Sequence, residues 1–356
     1  MTVFSAESFA DHEQVVFVSD AESGLRAIIA IHDTSLGPAL GGCRMYPYAS
    51  EEDALRDVLR LSRGMTYKAA AAGLDLGGGK AVIIGDPRRQ KSPALLQAMG
   101  RAVDRMAGRY ITAEDVGTTV ADFAEVHKTT RHVVGLPVEL GGTGDPSPTT
   151  ALGVFMGLEA AARHRWNGQT LSGRTVAVQG LGNVGWHLCG YLAEAGAKLV
   201  VADVDEDRTA RAAAAFSAQV VHPQAIYAVE SDIFAPCAMG AVLNDETLPQ
   251  LRCAIIGGAA NNQLARDAHG ERLRDRGILY APDFVINAGG MIRVALERDG
   301  FEQSRLDDGL NGLGATLSAI FERADRDAMP TQAAAIELAQ ERLHAARARS
   351  APSLAA

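Results

Sequence analysis

Two lysines in glycine-rich surroundings are the residues of this sequence with the most direct chemical potential. Lys68 ends the segment Gly64-Met65-Thr66-Tyr67-Lys68, and Lys80 follows the triple glycine 77–79. A lysine in water is a poor base, but burial and a second nearby cation both favour the neutral amine. Three glycines let a backbone pass close to a ligand. The pair predicts one lysine that holds a carboxylate and another that acts as a base, although each lysine taken singly is better explained as a solvated surface residue.

A third candidate is Asp115, in the segment Thr112-Ala113-Glu114-Asp115-Val116-Gly117 at the end of a predicted strand. The carboxyl end of a strand is where the active sites of open α/β sheets gather. Taken by itself, Asp115 is better explained as a capping or turn residue.

The strongest local motif is Gly180-Leu181-Gly182-Asn183-Val184-Gly185, which directly follows the apolar segment 175–178. The first glycine allows a tight turn, the second lets the backbone approach a pyrophosphate, and the third permits close packing of helix on strand. The helix that begins here supplies donors and a positive dipole to phosphates. A plain structural turn is the alternative. The flanking pattern of strand and helix favours a dinucleotide site.

The acid expected downstream of such a motif is Asp203, 23 residues after Gly180. A carboxylate there accepts hydrogen bonds from both ribose hydroxyls of NAD and repels a 2′-phosphate. Asp205 and Glu206 add negative charge nearby, whereas Arg208 weakens the argument. The alternative for Asp203 is a helix-capping or surface acid. The pattern favours NAD over NADP as cofactor.

Regular elements that could position these residues follow from the hydrophobic periodicity. The part that follows residue 173 alternates strands and helices, which predicts a parallel, doubly wound sheet. The end of the chain is predicted to be helical, with one apolar stripe on Leu306, Leu310, Leu313, Leu317 and Ile320 and a break at Met329-Pro330. The predicted strands are 14–18, 25–31, 80–84, 110–112, 174–179, 198–203, 233–234 and 254–256; the predicted helices are 51–63, from Ser147-Pro148 to about 165, 183–195, 207–216 and a last one to about 346.

Composition narrows the classes of function. A length of 356 residues favours two domains. The formal charge of -9 argues against nucleic acid as a partner. The four cysteines form no CxxC pair and the nine histidines no metal-binding spacing, so we expect reduced thiols and no metal site. We expect a cytoplasmic protein that does not associate with membranes, because no segment is long and apolar enough to span one and the N-terminal segment is acidic.

Several segments together resemble the leucine, phenylalanine and valine dehydrogenases of the glutamate dehydrogenase superfamily, most closely the leucine enzymes. They occur in the family order from about residue 12 to about residue 300. The segments are Leu36-Gly37-Pro38-Ala39-Leu40-Gly41-Gly42, 65–70, 77–80, 112–118, 145–148, 180–185, Ala259-Ala260-Asn261-Asn262 and Asn287-Ala288-Gly289-Gly290.

The resemblance implies NAD-dependent oxidative deamination of a hydrophobic L-amino acid, reversibly, to its 2-keto acid and ammonium. Lys68 would pair with the substrate α-carboxylate. Lys80, unprotonated, would activate the water that attacks the iminium carbon. Asp115 would carry protons to and from the amine and the carbinolamine. Hydride would pass from Cα to the nicotinamide, in a cleft that domain closure shields from water.

The resemblance also implies which residues bind the substrate head group and the cofactor. Asn262 would contact the substrate amine or carboxylate, Asn261 and Asn287 would lie beside the ribose and nicotinamide, and Thr150 would hydrogen-bond the carboxamide. The remaining cofactor-binding residues would be Ala238, Ala260, Asp203 and the glycine motif Gly180, Leu181, Gly182, Asn183, Val184 and Gly185.

The side-chain pocket implied by the resemblance is apolar throughout. A glutamate side chain would be desolvated and unpaired there, so glutamate is excluded as a substrate. Met291 and Val134 differ from the valine and threonine usual in leucine enzymes, and Asp145 stands where many relatives carry asparagine. The implied lining is Leu40, Gly41, Met65, Ala113, Val134, Met291 and Val294.

Two α/β domains are implied: residues 1–146, joined by a C-terminal helix 330–356, for substrate binding and homo-oligomerisation, and a Rossmann-type NAD-binding domain, 147–329. The first alternative is a dehydrogenase that prefers phenylalanine or tryptophan. A 2-hydroxy-acid dehydrogenase would need a histidine–carboxylate pair, for which His127, His132 and His164 have no matching context. The third alternative is a non-catalytic NAD-binding protein, against which the intact Lys68, Lys80 and Asp115 argue.

Overall fold

The computed structural model describes residues 3–298 and 300–350, and its contacts divide the chain into two compact units. The first unit contains the chain up to Asp145, the segment Val294–Phe301 and the chain from Ala339 onward. The second contains Pro146–Arg293 and Glu302–Leu338. The roles of the two predicted domains stay predictions, and residues 351–356 of the predicted C-terminal helix lie outside the described residues.

The first unit is built on a five-stranded sheet in the order β1-β2-β4-β3-β5. The first strands, β1 and β2, are antiparallel, β4 is antiparallel to β2, and β3 runs parallel to both β4 and β5. The sequence pattern did not predict β3, because two adjacent glycines lower its strand propensity and its pairing with β4 and β5 on either side stabilises it instead. The strands are β1 Gln14–Asp20, β2 Leu25–Asp33, β3 Ala39–Tyr46, β4 Gly77–Ile84 and β5 Tyr110–Glu114.

Three helices of this unit follow β3, β4 and β5 in the chain: α1 Glu51–Ala71, α2 Pro93–Asp104 and α3 Val120–His127. Helix α1 begins where the Ser50 hydroxyl accepts a hydrogen bond from the backbone N–H of Asp53, with three acidic residues in its first turn. It continues beyond the predicted end at residue 63, so that Lys68 lies on a helix. Helices α2 and α3 were not predicted.

The second unit contains a six-stranded, wholly parallel sheet in the order β11-β10-β9-β6-β7-β8. The strand-to-helix alternation and the parallel pairing confirm the predicted α/β class with a Rossmann-type, doubly wound sheet. Its elements are α4 Ser147–Arg165, β6 Thr175–Gln179, α5 Asn183–Glu194, β7 Lys198–Ala202, α6 Glu206–Phe216, β8 Gln219–Val220, β9 Ile233–Pro236, β10 Ile255–Ile256, α7 Ala268–Asp275, β11 Leu279–Tyr280 and α8 Asp283–Ile286.

Three further helices complete the chain: α9 Gly289–Glu297, α10 Gln303–Arg326 and α11 Thr331–Ser350. The predicted leucine stripe of α10 is buried. Helix α4 begins at Ser147, as predicted; Pro146 precedes it at the N-cap position and makes no side-chain cap.

Candidate active site

Lys80 lies in the middle of β4 and is almost completely buried, with 4% of its surface exposed. The glycines before it serve the packing of the first unit. A Cβ on Gly78 would lie 2.1 Å from the backbone nitrogen of Thr66 on α1, and one on Gly79 would lie 2.7 Å from the ring of the buried Tyr110. The idea that these glycines make room for a ligand therefore does not hold at these two positions, which the protein's own chain occupies.

Asp115 follows β5 and forms an ion pair with Lys80. The Lys80 Nζ donates to Asp115 Oδ2 at 2.5 Å, and the Nε of Arg44 donates to Asp115 Oδ1 at 2.8 Å. Gly42 on β3 permits this approach, because a Cβ there would lie 2.8 Å from the Asp115 Cβ. The structure thus brings together the acid and the lysine that the sequence singled out.

The charge state of Asp115 is determined by these neighbours. Burial alone raises its pKa, but the charges and hydrogen bonds of Lys80 and Arg44 outweigh burial and lower the pKa to about 2. Asp115 is therefore an anion throughout the neutral and alkaline range. Sequence reasoning missed Arg44, which lies in β3 and belongs to no recognisable motif.

Lys68 and Met65 lie on α1, on either side of the Thr66 residue that packs against β4. The Cγ of Met65 lies 3.4 Å from where a Cβ on Gly41 would be, and Lys68 is half-buried. The two lysines are therefore on neighbouring elements, α1 and β4. The role of Lys68 as the partner of a carboxylate stays a prediction.

The side chains predicted to line an apolar pocket belong to both units. Leu40 on β3 and Val134 are buried, and Ala113 on β5 and Val294 on α9 are half-buried. The Val134 N–H donates to the carbonyl of Thr112 at 3.0 Å, which fastens its segment to β5. Met291 belongs to the second unit and is buried there. Their contact with a substrate stays a prediction.

The glycine motif of the second unit forms the turn between β6 and α5. Gly180 has a φ of +95°, a left-handed conformation that disfavours other residues. A Cβ on Gly185 would lie 2.0 Å from the Gly180 carbonyl oxygen, so the helix could not pack on the turn with a larger residue. Gly182 is the N-cap of α5, and a Cβ there would have no neighbour within 4 Å. This turn has an open approach at Gly182, as phosphate binding at a helix N-terminus requires. Within the motif, Leu181 is buried, Val184 is half-buried and Asn183 is exposed.

Asp203 follows β7 and is held against this turn. Its Oδ2 accepts from the Leu181 N–H at 2.6 Å, and its Oδ1 accepts from the Asp205 N–H at 2.9 Å. The N-cap of α6 is Asp205, whose side chain accepts from the backbone of the first helical turn. The alternative interpretation of Asp203 as a helix cap is therefore wrong.

The other predicted cofactor residues lie on several elements of the second unit: Ala238 after β9, Ala260, Asn261 and Asn262 after β10, Asn287 at the end of α8 and Thr150 on α4. A Cβ on Gly180 would lie 2.7 Å from that of Ala238, so these residues adjoin. Asn287 donates to the side-chain oxygen of Asn261 at 2.7 Å. Asn262 is exposed and has a φ of +51°. The buried Ala260 donates its N–H to the Pro236 carbonyl at 2.9 Å, and Thr150 on α4 donates to the Pro146 carbonyl at 3.0 Å.

Other kinds of site find no support in the described part of the chain. There, no group of histidine, cysteine and acidic residues could hold a metal ion, and the cysteines are free thiols. Two histidine–carboxylate pairs lie among the described residues, His164 with Asp325 at 3.0 Å and His269 with Asp245 at 3.4 Å, but both acids are largely exposed. Among residues 3–298 and 300–350, no helix combines the length and apolarity needed to cross a membrane.

Known protein families and individual relatives match nearly the whole chain. The model of the Glu/Leu/Phe/Val dehydrogenase dimerisation domain matches residues 12–132, and the Glutamate/Leucine/Phenylalanine/Valine dehydrogenase model matches residues 141–210 and 201–349. The chain belongs to this family. It is similar to leucine dehydrogenase of Geobacillus stearothermophilus, with 52% identity over 99% of this chain and 96% of that protein.

Relatives with other names are similar as well. Phenylalanine dehydrogenase of Caldalkalibacillus thermarum is 49% identical over 96% of this chain and 94% of its own length. The crystal structure of L-tryptophan dehydrogenase from Nostoc punctiforme superposes with a TM-score of 0.84 at 46% identity and covers 95% of this chain and 97% of that one. The predicted family is thus confirmed, and the protein is an amino acid dehydrogenase. Enzymes of this kind generally use a nicotinamide cofactor.

Proposed function

We propose that this amino acid dehydrogenase oxidises a hydrophobic L-amino acid, leucine or another branched-chain one, to its 2-keto acid and ammonium with NAD, and catalyses the reverse reaction. The observation that carries this proposal is the buried pair in which the Lys80 Nζ lies 2.5 Å from Asp115 Oδ2. Deprotonation of an amine and attack of water each need a proton acceptor, and a buried lysine with an adjacent acid provides both acceptors.

The proton transfers follow from this pair. Asp115, an anion in the structure, accepts a proton from the substrate ammonium, so that the amine lone pair can assist the departure of hydride. A nicotinamide cofactor, when bound, would supply the acceptor for that hydride. Lys80, once its own proton has passed to solvent, takes one from the water that attacks the resulting iminium carbon. Asp115 then protonates the nitrogen of the carbinolamine. The C–N bond breaks, and the departing ammonia takes up the hydroxyl proton as the keto group forms, so that ammonium is released. Lys68 holds the α-carboxylate throughout.

NAD is favoured over NADP by the position of Asp203. Its carboxylate contacts the backbone of Leu181 within the glycine turn, and only 6% of the side chain is exposed. A ribose whose pyrophosphate lies on the open Gly182 turn would offer its hydroxyls to this carboxylate, while a 2′-phosphate would meet its charge. The remaining members of the predicted cofactor site, Thr150 and the Asn261–Asn287 pair among them, are proposed in the same roles.

A hydrophobic side chain of the substrate is favoured by the apolar residues proposed as the pocket. Leu40, Ala113 and Val294 are as in the leucine enzymes, and a relative with 52% identity is a leucine dehydrogenase. Met291 and Val134 differ from those enzymes, and a 46% identical neighbour is a tryptophan dehydrogenase. Preference for phenylalanine or tryptophan is therefore the second candidate.

We further propose a homo-oligomer assembled through the first domain, because residues 12–132 match a model named for dimerisation. In this proposal the first domain, 1–146 with the C-terminal helix 330–356, also binds the substrate, and 147–329 bind NAD. We place the enzyme in the cytoplasm, with no nucleic acid and no membrane as partner.

A panel of initial rates tests the proposal. L-leucine, L-valine, L-phenylalanine, L-tryptophan and L-glutamate are each supplied with NAD or NADP, and absorbance is followed at 340 nm. We expect the highest kcat/KM for a branched-chain substrate with NAD. A higher value for phenylalanine or tryptophan would select the second candidate. Absence of turnover with all five would support the non-catalytic NAD-binding protein instead.

A further inference from the structure

The guanidinium of Arg44 joins two carboxylates that come from different elements. Its Nε donates to Asp115 Oδ1 at 2.8 Å, and its Nη1 donates to Asp57 Oδ2, on α1, at 2.9 Å. The hydroxyl of Tyr48 donates to the same Asp57 oxygen at 2.6 Å. The side chains of Arg44, Asp57 and Asp115 are 22%, 16% and 19% exposed, so the chain of contacts is largely shielded from water.

We propose that Arg44, Asp57 and Tyr48 are positioning residues for the reaction, which hold the Asp115 carboxylate in one orientation and keep it anionic, with Oδ2 turned to Lys80. The inference rests on the proposed function, in which Asp115 carries protons for the substrate. None of the three touches the reacting atoms in this scheme. They act through Asp115.

The hydrogen bonds assign a separate task to each oxygen of Asp115. Oδ1 accepts from Arg44 and from the backbone N–H of Val116 at 2.7 Å, so its acceptor capacity is used by fixed donors. Oδ2 accepts from Lys80, whose flexible side chain can release it when a substrate amine arrives. Oδ2 is therefore the oxygen that exchanges protons.

Asp57 and Tyr48 in turn hold the guanidinium in place. A planar guanidinium whose donors bind two carboxylates cannot rotate without breaking one of these bonds. Burial and the Asp57 carboxylate raise the pKa of Tyr48 well above its ordinary value, so the phenol stays a neutral donor under alkaline conditions too. Asp57 thus keeps the hydrogen bond from Tyr48 over the neutral and alkaline pH range.

In this cluster the cations Arg44 and Lys80 face the anions Asp57 and Asp115, and the exposed Arg60 lies 3.8 Å from the other oxygen of Asp57. Loss of Arg44 would leave Asp115 buried with a single cation. Because burial is the influence that raises the pKa of Asp115, its pKa would rise from about 2. The titration of Asp115 therefore reports whether Arg44 sets the charge of this carboxyl, while kcat reports whether Arg44 sets its orientation.

The experiment uses the full-length enzyme with Arg44→Gln, Arg44→Lys and Tyr48→Phe. Two readouts are taken: kcat and KM for the preferred amino acid across pH, and the titration of the Asp115 carboxyl by 13C NMR of aspartate-labelled enzyme, assigned with Asp115→Asn. Arg56→Gln is the matched control, because Arg56 lies on α1 next to Asp57 in the chain and pairs instead with the exposed Glu52 and Asp53.

We expect Arg44→Gln to lower kcat about 10- to 100-fold, since small displacements of a catalytic group carry costs of this size. The KM for NAD should not change, and the midpoint of the Asp115 titration should rise by at least one pH unit. Arg44→Lys keeps the charge but cannot bridge both carboxylates, so kcat should fall while the midpoint stays near that of the wild type. Tyr48→Phe should give a smaller fall in kcat, which serves as the test if the Arg44 variants do not fold.

The outcomes separate this inference from the proposed function. If Asp115→Asn retains near wild-type turnover, the proposed role of Asp115 is wrong. If Asp115→Asn is inactive while Arg44→Gln and Tyr48→Phe keep the wild-type kcat and titration midpoint, the proposed function stands and the positioning role is refuted. A fall in thermal stability with unchanged kcat and midpoint would likewise reduce Arg44 to a structural ion pair.

Discussion

Replacement of Asp203 by asparagine should allow the enzyme to use NADP. This is the clearest gain of function that the structure predicts. Asp203 Oδ2 accepts from the Leu181 N–H at 2.6 Å, and the asparagine oxygen can take over this bond, which retains the glycine turn. The variant removes one negative charge beside the proposed ribose site, together with the bond that Asp203 Oδ1 accepts from the Asp205 N–H at 2.9 Å. It should therefore change the choice between cofactors rather than the fold.

The size of the effect follows from the charges involved. Two unit charges about 4 Å apart interact by about 4 kcal/mol at an effective dielectric constant of about 20. Because the Asp203 side chain is only 6% exposed, screening by solvent is partial. Relief of about 2–4 kcal/mol corresponds to a rise of about 30- to 1000-fold in kcat/KM for NADP relative to NAD. Arg208, whose Nη1 lies 3.9 Å from Asp203 Oδ2, would keep its contact with Asp205 at 3.3 Å and would have its Nη1 available for the 2′-phosphate.

The assay compares kcat/KM for the two cofactors at a saturating concentration of the preferred amino acid. Asp275→Asn, a surface acid on α7, controls for loss of charge from the same unit. The double variant Asp203→Asn with Arg208→Met should lose most of the gain in NADP use. A cofactor ratio within threefold of the wild type in Asp203→Asn, with the turn intact, would refute the assignment of Asp203 to the ribose.

Three further substitutions in the first unit test its packing, the pH dependence of its stability and its proposed carboxylate site. Gly79→Ala should cost about 1–3 kcal/mol in the free energy of unfolding by urea, because its Cβ would lie 2.7 Å from the buried Tyr110 ring; an unchanged midpoint would contradict this packing. Burial, and after it the nearby His12, lowers the pKa of His32 in the folded protein to about 4. As the pH falls, His32 therefore binds a proton in the unfolded chain before it does so in the folded one. The free energy of unfolding falls by about 3 kcal/mol between pH 6.5 and pH 4 as a result. His32→Asn should lack that part of the pH dependence in parallel urea titrations, and identical slopes would exclude it. Lys68→Met should raise KM for the amino acid about 10- to 100-fold through the lost charged partner, with KM for NAD constant; an unaltered KM for the amino acid would dismiss Lys68 as the carboxylate site.

The cofactor turn could be predicted from the sequence because its geometry is local. The conformations of Gly180 and Gly182 and the packing of Gly185 depend on residues within one strand–turn–helix unit, and Asp203 follows the next strand at a regular distance. Such short-range constraints appear directly as residue types at fixed spacing.

The partners of Asp115 could be predicted only in part. Lys80 carried a signal in its glycine-rich surroundings and in a family resemblance, whereas Arg44 and Asp57 lie in segments with no motif and meet through the packing of β3 and α1. The triple glycine also shows the limit of a local argument. At Gly78 and Gly79 the missing side chains make room for Thr66 and Tyr110, contacts between distant parts of the chain that spacing alone does not indicate.

The most direct test of the account is the kcat of Lys80→Ala with the preferred L-amino acid, measured beside its affinity for NAD. The account predicts a fall in kcat of about 100- to 10,000-fold, the range for loss of a general base. NAD binding should survive, since Lys80 lies in the first unit and the glycine turn in the second. A variant that keeps a near wild-type kcat would show that the buried lysine is not the base, and the proposed mechanism would have to be abandoned.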